Sequence, residues 1–93
     1  MVLEEKLKEA CRKEIEKMEN VFKNIKILNT KGAEIFNLSL SYFYDAKYFF
    51  EKGDFISSFE AIIISWAYID VGLHLEFFEI PQELKKYFTL NGI

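Results

Sequence analysis

Four side chains hold most of the chemistry this sequence could offer: Cys11, Arg12, Asp70 and His74. The chain has one cysteine and one histidine, which excludes any site that needs two of either. Cys11 follows Leu7 and precedes Ile15 in steps of four. That spacing puts it on the apolar stripe of a helix, whereas a reactive thiolate is favoured at a helix N-terminus or beside a paired histidine. Cys11 is therefore expected in the core. His74 falls near the end of an apolar helix, where a cation interacts well with the helix dipole. No serine or cysteine is spaced to use it as a base. Arg12, the sole arginine, lies in a different segment from His74, so the helical-ribonuclease spacing of Arg, four residues and His is missing. No catalytic residue is assigned.

Metal and cofactor sites fare no better. A zinc site takes about four Cys, His or carboxylate ligands. A di-iron bundle needs Glu three residues before His on two helices, and Val71 occupies that position before His74. The glycines, Gly32, Gly53, Gly72 and Gly92, are too scattered for a phosphate-cradling loop. No metal and no cofactor are expected.

Asp70 is the acid that stands out. It shares a helical stripe with Trp66 and Leu73, so its carboxylate borders the core. A tight turn at Gly53-Asp54 would bring Asp70 level with Asn37, and Trp66 level with Ser41. Two readings follow. Asp70 is a hydrogen-bonded acid fixing helix register at the core's edge, or Asp70, Asn37, Ser41 and Trp66 form a ligand-binding or proton-transfer site. Asn37 and Ser41 belong to the polar side of their helix, which favours the first. Asp45, on that same polar side, is expected to be solvated.

The elements that must position these residues are helices. Leu3, Leu7, Cys11, Ile15, Met18, Phe22, Ile25 and Leu28 recur in steps of four or three, predicting a helix from Val2 to about Leu28. Asn29-Thr30-Lys31-Gly32 then supplies turn and cap residues. A second helix, about Ala33 to Lys52, has Phe36, Leu40, Phe43, Ala46 and Phe50 inward. Gly53 is placed to close it in the left-handed conformation, and Asp54 to cap the next. The third helix runs from Phe55 to about Leu75 with Phe59, Ile62, Trp66, Ile69 and Leu73 inward. Pro81 can start another short helical piece, Gln82 to Phe88. The fold class is all-α: an up-down-up three-helix bundle with a short C-terminal helical extension.

Ninety-three residues and 11.0 kDa suit one domain, residues 1–93. With 51% hydrophobic and 29% charged residues, disorder is excluded. Charges at Glu4, Glu5, Lys6 and Lys8 interrupt what a signal peptide would keep apolar. The uncharged runs 35–44 and 61–69 are too short to cross a bilayer. A cytoplasmic protein without a membrane partner is expected, and the single cysteine suits a reducing compartment. The net charge of −3 gives no general attraction for nucleic acid. Residues 1–31 carry eight bases, but six interleaved acids argue against a nucleic-acid interface on the first helix.

The third helix is apolar nearly all round, with Glu60 its only charge between Phe55 and Ile69. Its outer stripe, Ile64, Tyr68, Val71 and Leu75, expects cover from the C-terminal tail or from a second chain. A two-fold homodimer, or an unidentified protein partner, is the expected cover. The function expected is thus a non-catalytic interaction or scaffold module. The alternatives are a ligand-binding protein or enzyme using Asp70, and a nucleic-acid accessory protein using the first helix.

The stretch Ser41-Tyr42-Phe43-Tyr44-Asp45-Ala46-Lys47-Tyr48-Phe49-Phe50-Glu51-Lys52-Gly53-Asp54-Phe55 adds a family resemblance. Together with Ser58-Phe59-Glu60-Ala61-Ile62 and Ile69-Asp70-Val71-Gly72 it resembles the archaeal family called domain of unknown function 357. The resemblance implies a short archaeal protein with a three-helix-bundle fold, and brings no activity or catalytic residues with it. Trp66 departs from it, standing where the family commonly has a more polar residue such as His.

Overall fold

Apolar stripes at helical spacing cannot be buried by a lone helix, so the three long segments close on one another. The computed structural model describes residues 2–90. It contains α1 (Val2–Asn24), β1 (Lys26–Ile27), α2 (Thr30–Glu51), α3 (Phe55–His74), β2 (Phe78–Glu79) and a 3-10 helix, Gln82–Tyr87. Phe22 of α1 meets Phe36 and Phe43 of α2, while Glu19 reaches Lys47, so α1 and α2 are antiparallel. Cys11 meets Phe55 at the start of α3, and Lys17 lies over Tyr87 beside Trp66, so α1 and α3 run the same way. This is the expected all-α, up-down-up bundle with a short helical extension.

The first boundary differs from expectation. Helix α1 stops at Asn24 rather than Leu28, because the next residues pair with the segment after α3. Ile27 lies opposite Phe78 and Lys26 opposite Glu79 in a short antiparallel ladder, and Leu28 N–H donates to the Phe77 carbonyl at 2.9 Å. The β-branched Ile25 and Ile27 suit this extended path. Helix α2 begins at Thr30, three residues earlier than the reading from Ala33. Asn29 is its N-cap, accepting from the Gly32 N–H at 2.8 Å. The stripe on α1 also shifts: Val21 is fully buried, while Leu3 lies beside the Gly53–Ile56 turn and stays 76% exposed.

Helices α2 and α3 end alike. After α2, Gly53 N–H donates to Phe50 and Asp54 N–H to Phe49; after α3, Glu76 N–H donates to Leu73 and Phe77 N–H to Gly72. Both are the paired closures made by a left-handed residue just past the helix. Gly53 sits at φ 79°, as the sequence predicts, but the second such position is held by Glu76 at φ 62°. Asp54 then caps α3 through Ser57 N–H at 3.1 Å.

The α2–α3 contact is made by small side chains. Ser39 and Ala46 of α2 meet Ser58 and Ser65 of α3, all fully buried. Ser39 lies opposite Ser65, so the register is three residues off the one the turn predicts. Gly72 lets the buried Phe78 ring lie against the α3 backbone, since a Cβ there would overlap that ring. By length and composition α3 could cross a membrane, yet its most apolar stretch is one-third buried against α1, α2 and β2. The bundle accounts for the apolar side chains on the face turned to those elements, and the outer face stays exposed.

Candidate functional site

Trp66 and Asp70 are one turn apart on α3, and the C-terminal tail covers both. The Trp66 indole N–H donates to the Tyr87 carbonyl at 2.8 Å. Its ring lies parallel to Phe88, with centroids 5.9 Å apart and 3° between planes. Asp70 receives two hydrogen bonds from Thr89, from the N–H at 2.9 Å and from the hydroxyl at 2.7 Å. His74 Nε2 is 2.8 Å from the same hydroxyl oxygen and 3.8 Å from Asp70 Oδ1. The tail reaches this edge because Pro81, with φ −58° and ψ 150°, turns the chain from β2 into the 3-10 helix. Leu84 and Phe88 are then buried against the bundle.

Histidine, carboxylate and hydroxyl stand together here, yet the geometry is that of a clamp. In a nucleophilic triad the imidazole takes the hydroxyl proton, while the carboxylate holds the opposite ring nitrogen. Here the Thr89 hydroxyl points its proton at Asp70, so His74 Nε2–H donates to the hydroxyl oxygen, a tautomer assigned from the network. Both groups fix the tail through Thr89.

Asn37 and Ser41 are not brought to Asp70. They line an open groove on α2 with Glu34, Ile35 and Leu38, and the Ser41 hydroxyl donates to the Asn37 carbonyl at 3.1 Å. Asp70 faces the tail from the opposite side of α3. The register and the helix faces both separate the four residues proposed from the turn. Sequence reasoning missed Thr89, whose only signal was its place in a tail able to fold back.

Cys11 is fully buried, and its thiol donates to the Phe55 carbonyl at 3.1 Å. Burial pushes the thiol pKa up. Among the described residues no group of three or more His, Cys, Asp or Glu could hold a metal ion. On α1 two of the basic side chains pair within the helix: Arg12 with Glu9 and Glu16, and Lys17 with Glu14 at 2.7 Å.

The outer stripe of α3 lies away from the tail. Ile64 is 39%, Val71 53% and Leu75 57% exposed. Tyr68 is half-buried and stacks on Tyr42 of α2, at 6.0 Å between centroids. Leu38 of α2 is also exposed.

The family described as protein of unknown function (DUF357) matches residues 5–78. The chain is also similar to protein AF1782 from Archaeoglobus fulgidus, whose crystal structure is assigned to that family. The two share 29% identity and a TM-score of 0.76, over 85% of this chain and 99% of that one. No curated protein sequence matches the chain.

Proposed function

The chain belongs to the DUF357 family, a family without an assigned role, and on that footing we propose that it is a non-catalytic interaction module that pairs with a second copy of itself through the outer face of α3. The observation that carries this reading is the position of the tail. It docks on the Trp66–Asp70 edge and leaves Ile64, Val71 and Leu75 in water.

A second copy is favoured because the stripe is self-complementary. Ile64, Ala67 and Val71 recur in steps of three and four, the spacing of a helix-pairing seam. Two such helices crossing antiparallel about a two-fold axis near Ala67 set Ile64 of one copy against Val71 of the other. The small Ala67 side chain at the axis allows close approach. A closed, isologous contact hides the stripe on both copies at once. The working compartment proposed is the cytoplasm, which suits one free thiol. Light scattering of the full chain over a concentration series tests the pairing. A rise to twice the monomer mass is expected, and a monomer at every concentration would overturn it.

A further inference from the structure

The tail is held in the manner of a bound peptide. Its own backbone hydrogen bonds are internal, from Leu84 N–H to Pro81 and from Phe88 N–H to Lys85. Among the described residues no backbone–backbone hydrogen bond ties 81–90 to the helices. The polar contacts to the body come instead from side chains of α3. Trp66 donates to the carbonyl of residue 87, and Asp70 accepts from the N–H of residue 89. One donor and one acceptor thus read the backbone two residues apart, around Phe88 in extended conformation (φ −123°, ψ 171°). The Phe88 ring between them stacks on Trp66, and Lys17 of α1 lies 5.3 Å from the centre of the Tyr87 ring. The second Asp70 oxygen and His74 both meet the Thr89 hydroxyl, so the position after the aromatic is read for a hydroxyl as well as for its backbone.

Receptor and occupant also separate along the chain. Trp66, Asp70 and His74 lie inside the family match, residues 5–78, and the docked segment lies beyond it.

We propose that the Trp66–Asp70–His74 edge of α3 is a docking site for an extended peptide with an aromatic residue followed by threonine or serine, and that the chain's own Tyr87-Phe88-Thr89 is its resident occupant. A foreign segment of this kind gains entry by displacing the tail. The tail is tethered through β2 a few residues away, so it competes at an effective concentration on the order of millimolar. The intact chain consequently shows a foreign peptide only the small fraction of molecules whose tail is undocked. This face is distinct from the Ile64–Val71 stripe, so its fate leaves the pairing reading untouched.

The test uses the full-length chain and a fluorescein-labelled peptide of the sequence Gln82–Leu90, read by anisotropy. Thr89→Asp sets a second carboxylate against Asp70 and loosens the resident tail. That variant is expected to bind the peptide saturably, at least about tenfold more tightly than the parent does. Adding Asp70→Ala to it is expected to abolish the binding. Absence of saturable binding to Thr89→Asp, or binding that survives Asp70→Ala, would overturn the proposal. Hydrogen exchange on the parent gives an arm without variants. The amides of 82–90 are expected to exchange together and faster than those of α3, and protection equal to α3 would show that the tail does not undock.

Discussion

Ser39 and Ser65 each donate their hydroxyl to the other's backbone carbonyl, at 2.7 and 2.8 Å, across the α2–α3 contact. Their oxygens are 3.0 Å apart and both residues are fully buried. The pair fixes the register of the two helices and allows their close approach. Ser65→Ala removes one hydroxyl while Ser39 keeps its own acceptor, so a loss of about 1 kcal/mol is expected in chemical denaturation. Ser65→Val forces a larger side chain into the same gap, and about 1–3 kcal/mol is expected. The two alanine substitutions combined should cost less than their sum, because each removes the other's neighbour. A Val variant as stable as the parent would mean the helices do not approach this closely.

Gly53 and Glu76 occupy equivalent positions in two helix closures with different residues. At φ 79° and with open space where a Cβ would stand, Gly53 is required for its conformation alone. Gly53→Val should destabilise by about 1–2 kcal/mol or more, the cost of a β-branched side chain in the left-handed region. Glu76 holds φ 62° with a side chain in place. Glu76→Gly relieves that backbone conformation, and a gain of about 0.5–1 kcal/mol is expected. Thermal melts of the two variants should therefore move in opposite directions.

The contrast between these closures also shows what a single sequence makes legible. Gly53-Asp54 was readable because glycine before an N-cap has one common use, and the three helices were readable from spacing. Glu76 was not, since nothing local announces a left-handed glutamate. The β1–β2 ladder escaped for a similar reason: Lys26–Ile27 finds its partner about fifty residues away, beyond any periodic signal. The spacing of Asp70 marks it as an acid at the core's edge, but the turn alone points to partners on α2. Residues level across a hairpin share no contact when they lie on opposite faces, and the helix face outweighs the register. The buried serines carry no outward mark either, because Ser in a helix reads as polar surface until a second small residue stands opposite.

Cys11 gives a probe of opening. With the thiol fully buried, an aromatic disulfide reagent should label it only through unfolding or local opening, and denaturant should accelerate labelling by orders of magnitude. Its pKa in the folded state is raised by burial from an ordinary value near 9.0. The fold therefore favours the protonated thiol. That contribution is complete below about pH 9 and is lost as pH rises through the folded value. Stability followed from neutral to strongly alkaline pH should fall more in the parent than in Cys11→Ala. Equal slopes, or prompt labelling of the native chain, would place the thiol at the surface.

Ile64→Glu addresses the outer face of α3. In the free chain Ile64 is 39% exposed, so a glutamate there can turn to water, and little change in the monomer's fold is expected. In the two-fold pairing the same position lies against Val71 of the other copy near the axis. A carboxylate trapped there would be desolvated without a partner, which costs several kcal/mol. The expected outcome is a variant that keeps its helical circular dichroism and scatters light as a monomer at concentrations where the parent pairs. Val71→Glu should do the same, because the symmetry makes the two positions face each other. Glu4→Gln, on the exposed start of α1, should leave the mass unchanged. Pairing that survives both Ile64→Glu and Val71→Glu would move the contact off this stripe.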